Sequence, residues 1–231
     1  MRLALALVLL LAAAPASASE ATDLSGLVLA AYGGAEAIEQ GNSMRQSGTL
    51  ESYRHAKTGT VERSFTRPDR LRIEIRIPGE KPESRILDGD RGWRNGRPVL
   101  PLMAKAMYLQ AARMNLPWLV LKAGPDIALL GPVKHSDGRE LKALEIPVAD
   151  GVRLVAVVDP ETGYILRSHG RVETAPGVGV DFGTLYEGHG DLNGMFLATE
   201  ETHFARGRPT GKTVLEKSEI VPDFPDSVFQ P

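Results

Sequence analysis

The chain has 231 residues, 27 Lys and Arg against 29 Asp and Glu, a net charge of −2 and no cysteine. The lack of thiols excludes disulfides, thiolate catalysis and Cys-ligated zinc or iron–sulfur chemistry. The mild acidity argues against a nucleic-acid partner, which asks for a strongly basic surface.

The first element is a targeting signal. Arg2 precedes an unbroken apolar run, Leu3–Ala14, followed by Pro15 and the small-x-small triplet Ala16-Ser17-Ala18. This pattern predicts a cleaved secretory signal peptide over residues 1–18. The run is shorter than the ~20 apolar residues that span a bilayer, and no Cys follows it to take a lipid. Residues 19–231 are then expected to form a single domain whose core alone holds it together.

Asp23–Tyr32 carries Leu24, Leu27, Val28 and Ala31 at helical spacing, an amphipathic helix stopped by Gly33-Gly34. Ala35–Gln40 reads as a second short helix. The period then changes to two. Gln46–Arg54 and Thr60–Arg67 read as strands. Leu71, Ile73, Ile75 and Ile77 alternate with Arg70, Arg72, Glu74 and Arg76, a strand with one wet and one dry face. Ser84–Asp88, Gly89-Asp90 and Arg91–Arg94 read as a hairpin, with Asn95-Gly96 as a further tight turn.

The middle of the chain is different. Leu102–Asn115 holds no Gly or Pro and is rich in good helix formers, with Pro101 suited to a first helical turn. It forms a helical insertion around residues 101–124, broken up by Pro117 and Gly124-Pro125. Strands resume at Ile127–Val133, Leu141–Pro147, Val152–Val158, Ile165–Val172, Val178–Glu187, Met195–Phe204 and Thr213–Val221, separated by turn signals such as Asp137-Gly138 and Asn193-Gly194. The expected fold is mostly β, a long antiparallel meander curling into an open or closed barrel.

Enzyme motifs are weak. Gly207-Arg-Pro-Thr-Gly-Lys-Thr213 spaces its glycines too closely for a phosphate loop and leads into a strand. Asp88-Gly-Asp-Arg-Gly92 lacks the ligand spacing of a calcium loop. The five histidines form no His-x-x-x-His pair. The sequence therefore asks for no cofactor and no metal, and predicts a protein that is not an enzyme. His189, Asp191, Glu201 and His203 are the first polar residues to watch for a site assembled from distant positions.

Binding signals are better. Met103, Met107 and Met114 fall on one face of the inserted helix, and Met is common on surfaces that accept varied apolar partners. Arg67 shares strand parity with Val61, Arg63 and Phe65. If it points inward it needs a partner or a ligand oxygen.

Four stretches resemble the periplasmic lipoprotein-sorting and lipoprotein-carrier superfamily of the bacterial envelope. They are Tyr32-Gly-Gly-Ala-Glu-Ala-Ile38, Phe65-Thr-Arg-Pro-Asp-Arg-Leu-Arg72, Ile86-Leu-Asp-Gly-Asp-Arg-Gly-Trp93 and Pro225-Asp-Ser-Val-Phe-Gln-Pro231. The resemblance implies a half-open antiparallel β-barrel of about eleven strands with helices plugging its concave face. It implies a soluble periplasmic carrier or chaperone that holds a lipid, a lipoprotein acyl chain or another hydrophobic ligand in an apolar cavity, with transient inner- or outer-membrane protein partners. In the soluble carrier the Arg of the Arg-Pro motif holds the helical lid, and Arg67 is the matching residue. The candidate ligand-binding set is Arg67, Phe65, Leu71, Ile73, Ile75, Trp93, Met103, Met107 and Met114. The alternative is a non-enzymatic envelope sensor or protein-interaction module of the same fold.

Overall fold

The computed structural model describes residues 18–149, 152–175 and 178–231. The predicted signal peptide lies outside the described residues except for Ala18, the first residue of the first helix. Two helices come first, α1 (Ala18–Ala31) and α2 (Gly34–Gln40). Six strands follow: β1 (Ser43–Ser52), β2 (Lys57–Thr66), β3 (Arg70–Arg76), β4 (Glu83–Asp88), β5 (Arg91–Arg94) and β6 (Arg97–Pro98). Helices α3 (Pro101–Met114) and α4 (Leu116–Ala123) interrupt them. Seven more strands complete the chain: β7 (Ala128–Lys134), β8 (Glu140–Ala149), β9 (Val152–Val158), β10 (Ile165–Ala175), β11 (Val178–Leu192), β12 (Met195–Ala205) and β13 (Arg208–Ile220).

All thirteen strands join one antiparallel sheet in the order β6-β5-β4-β3-β2-β1-β13-β12-β11-β10-β9-β8-β7. The predicted half-open sheet with helices on its concave side is thus observed, with thirteen strands among the described residues. The order explains the plug. Two meanders, β1–β6 and β7–β13, are sealed along β1 and β13, which leaves β6 and β7 as the free edges. Helices α3 and α4 are the connection between those edges. A sheet this large curls under its own twist, so the connection crosses the mouth of the curl.

Alternation does the rest. Leu71 and Ile73 of β3 are buried and Arg70, Arg72 and Glu74 are not. In β9, Val152, Leu154, Ala156 and Val158 are buried. The inward side chains meet α1, α3 and α4 in two apolar clusters, one around Val28, Leu109, Val120 and Leu154, the other around Met44, Phe65, Leu71, Leu87 and Met107. Gly170 of β10 lets α3 approach: a Cβ there would sit 2.4 Å from a Leu109 methyl.

The opposite face has its own small core. Phe224 and Phe229 pack edge-to-face at 5.8 Å over Ile86. The Arg72 guanidinium donates to the carbonyls of Val228 and Gln230, so the tail is pinned across β3 and β4.

One element departs from the sequence expectation. Pro117 was expected to break the chain, yet Leu116–Ala123 is helical. Pro117 lies in the first turn, where its missing N–H is not needed.

Candidate functional site

The concave face under α3 is apolar by construction. Phe65, Leu71 and Ile73 are almost completely buried and share a cluster with Met107 and Ala111 of α3, with Ile75 and Met114 packed against its edge. Six of the residues singled out from sequence therefore come together. Met103 does not join them; it is 43 % exposed on the outer side of α3. Trp93 pairs with Ile86 and packs with the C-terminal phenylalanines on the other face of the sheet.

Arg67 does point inward. Its guanidinium reaches three helical pieces. Nε donates to Asn115 Oδ1 at 2.8 Å, at the joint between α3 and α4. Nη1 donates to the carbonyl of Ile38 in α2. The guanidinium carbon lies 5.6 Å from the centre of the Trp118 ring in α4, within cation–π range. Burial pulls the Arg67 pKa down to about 10, against an upward pull from Glu39, so the group stays charged at neutral pH.

A second polar cluster lies deeper. Arg63 Nη1 and Nη2 grip Glu201 at 3.1 and 2.7 Å, and Nη2 reaches Thr213 Oγ1 at 3.4 Å. His203 Nε2 lies 2.9 Å from the same hydroxyl and 3.7 Å from Glu201. Burial raises the Glu201 carboxyl, but the charge and hydrogen bonds of Arg63 outweigh it and hold the pKa below the ordinary range. Burial pushes His203 down to about 4, with Glu201 opposing. Nearby, Tyr186 Oη lies 2.8 Å from Ser168 Oγ and donates to the carbonyl of Arg113 at 3.2 Å. Burial pushes the Tyr186 phenol up to about 12.

Sequence reading missed Arg63 as an interior residue, although it shares the parity of Phe65 and Arg67. Of the four polar residues watched for a distant site, Glu201 and His203 meet, two apart on β12. The other two stand elsewhere. His189 stacks on Tyr164 with ring centres 3.8 Å apart, and Asp191 accepts the Gly194 N–H in the turn after β11. Glu201 has both oxygens committed to Arg63, so the pair is an ion pair with a neutral imidazole beside it. Among the described residues, no group of three or more His, Asp and Glu side chains is arranged to hold a metal ion.

Two cavities bear on binding. Beneath the α3–α4 joint lies a space of about 30 Å³, lined by Tyr32, Gln46, Arg113, Tyr186, Glu201 and Leu197 among others. That is room for a single water. Beside the first half of α3 a cleft of about 730 Å³ opens between that helix, the β4–β5 hairpin and Val152. Gly92, Val99, Ala104 and Tyr108 form its apolar wall, and Asp69, Asp90, Arg91 and Lys105 its polar parts. Its volume is within the range of about 300–1,000 Å³ usual for small-molecule sites.

No protein-family profile matches the chain, and no curated protein matches it. Solved structures do. A LolA superfamily protein from Nitrosomonas europaea superposes with a TM-score of 0.59 at 14% identity, over 88% of this chain and 96% of that one. A DUF1329 family protein from Desulfovibrio piger superposes with a TM-score of 0.51 at 12% identity, over 92% of this chain and 97% of that one. The chain thus has the LolA-like fold. Among the described residues, no helix is long and apolar enough to cross a membrane.

Proposed function

We propose that this protein is a periplasmic carrier or chaperone for a lipid, a lipoprotein acyl chain or another hydrophobic ligand. The observation that carries the reading is the Arg67 latch: one buried guanidinium ties α2, the α3–α4 joint and α4 over an apolar concave face. Apolar packing seats these helices on the sheet, and the Arg67 bonds add directional ties between the helical pieces that one substitution can remove. Lifting α3 uncovers Phe65, Leu71, Ile73 and Leu87, and an acyl chain laid there gains about 0.8 kcal/mol per buried CH₂. Open and closed states a few kcal/mol apart suffice for loading and release. The LolA-like fold and the 730 Å³ cleft beside α3 support the same reading.

One observation favours the alternative, a non-enzymatic interaction module of the envelope: the space beneath the lid joint holds no more than a water. One experiment separates the two. Protein purified gently from its native envelope is extracted with organic solvent, and co-purifying lipids are identified by mass spectrometry. The carrier reading expects a near-stoichiometric acylated species, depleted in Arg67→Ala. A lipid-free protein that also fails to take up fluorescent fatty acids overturns it in favour of the module.

A further inference from the structure

The interior beneath the lid carries more positive charge and more hydrogen-bond donors than its own residues use. Arg63 spends Nη1 and Nη2 on Glu201 and leaves Nε without a partner. Asn115 accepts from Arg67 at Oδ1 and leaves Nδ2 without one. Arg113, in the last turn of α3, leaves both Nε and Nη1. These four atoms are buried, and all four are donors. Buried polar groups are rarely left unpaired, and a surplus of one kind specifies what is missing: an acceptor.

The charge count agrees. Among the described residues Glu201 and Asp159 are the buried carboxylates. Asp159 is bonded to Arg139 at the end of β9, and both oxygens of Glu201 go to Arg63. The charge of Glu201 still favours the Arg113 cation, but its oxygens are committed to Arg63. The Arg113 guanidinium lies 5.9 Å from the centre of the Phe182 ring, and its place at a helix C-terminus suits a cation, but neither supplies an acceptor to Nε or Nη1. Arg113 also lines the small cavity, with Met114, Leu116 and Leu197 on its apolar side and Gln46, Tyr186 and the Arg63-bound Glu201 on its polar side.

We infer that the ligand is an anionic amphiphile, whose carboxylate or phosphate oxygens are received by Arg113 beneath the α3–α4 joint while its chain lies on the apolar concave face. The inference rests on the carrier reading above and narrows it to a ligand class. A neutral head group offers Arg113 an oxygen acceptor but no negative charge to set against its own. A head group larger than a water must displace Met114 and Leu116 from the cavity wall, which couples head-group binding to movement of the lid.

The test compares ligands of one chain length and different heads. Delipidated full-length mature protein is titrated with hexadecanoate, hexadecyl phosphate and hexadecanol. The expected result is that one or both anions bind about tenfold to a hundredfold more tightly than the alcohol; which anion leads tells carboxylate from phosphate. Arg113→Met brings the favoured anion down towards the affinity of the alcohol. Arg113→Gln, which keeps a polar side chain, serves if the Met variant fails to fold. Equal binding of all three ligands, or a preference that survives loss of Arg113, overturns the head-group assignment and leaves the carrier reading standing. Failure of all three to bind overturns the carrier reading itself.

Discussion

Arg67 Nε donates to Asn115 Oδ1 across 2.8 Å, which ties the end of β2 to the joint between the two helices that cross the mouth of the sheet. The chain separation is 48 residues, so this bond is a property of the closed arrangement and not of either segment alone. Arg67→Ala removes it together with the bond to Ile38 and the Trp118 contact. A cost of about 1–3 kcal/mol follows from leaving Asn115 Oδ1 unpaired, while the Ile38 carbonyl keeps the Gly41 N–H. Its location is the sharper expectation: hydrogen exchange should quicken across α3 and α4 and hardly at all in β1–β3, because the latch closes a lid and does not hold the sheet. Arg67→Lys should not rescue, since an ammonium lacks the planar fork that serves the two acceptors in fixed directions. Uniformly faster exchange over the whole sheet would show that Arg67 is an ordinary core contact.

The seat of α3 is set by Gly170. Its missing Cβ would fall within 2.4–2.9 Å of three Leu109 carbons, and Leu109 is fully buried with nowhere to turn. Gly170→Ala is therefore expected to cost about 1–3 kcal/mol by overpacking. Leu109→Ala should cost about 2–5 kcal/mol by the cavity it leaves. The double variant should cost clearly less than the two together, because each change relieves the defect of the other. Strict additivity in denaturant melts would mean that α3 does not rest on β10 as described.

Much of this arrangement is legible in the sequence, and what is not has physical causes. The strand phases could be read because one face of each strand is dry: Leu71 and Ile73 against Arg70 and Arg72 is a period-two signal that no helix gives. Inserted helix α3 could be read from propensity, whereas the inward turn of Arg67 could not be read from its parity with Phe65, which Arg63 shares; only the family resemblance singled Arg67 out. Helix α4 could not be read, because Pro117 marks a stop or a first turn with equal force and only the preceding Asn115 joint decides. The interior ion pair could not either. Arg63 and Glu201 are 138 residues apart, and a charged side chain at an inward position looks like a misphased strand until its partner is seen. Trp93 is hard to place for another reason: it lines the cleft beside α3 yet takes its cover from the other face. A large aromatic at a hairpin wants cover, but sequence does not say from which face, and here the C-terminal Phe224 and Phe229 provide it.

Acid should weaken the fold through β12. The folded pKa of His203 lies at about 4, below its ordinary 6.5, so the unfolded chain takes up the proton first. The stability this represents is present above pH 6.5 and is lost as pH falls from 6.5 towards 4, by at most about 1.4 kcal/mol per pH unit. Glu201, also depressed when folded, acts in the same sense at lower pH: its contribution is present above the ordinary carboxylate range and fades as pH falls through the folded value. His203→Gln should flatten the melting temperature between pH 6.5 and 4 and leave the steeper loss below it. An unchanged profile in that window would assign the acid sensitivity to other groups.

Arg63 and Arg113 should respond to one substitution with opposite signs. Arg63 is gripped by Glu201 on two nitrogens, and Arg63→Met strands that carboxylate in the core. Breaking a buried pair from one side costs about 3–5 kcal/mol. Arg113 has no such partner at Nε or Nη1, and burial already pulls its pKa down. Arg113→Met keeps the apolar stem, which packs like the arginine's own, and discards the unpaired charge. Without ligand that variant should melt at a higher temperature than the parent, while Arg63→Met melts lower. A charge kept at a cost to the empty protein is what a binding residue looks like in a stability measurement, since function and stability trade against each other at such positions. If Arg113→Met is instead destabilised as much as Arg63→Met, then Arg113 is satisfied in the empty protein and is a structural residue like its neighbour.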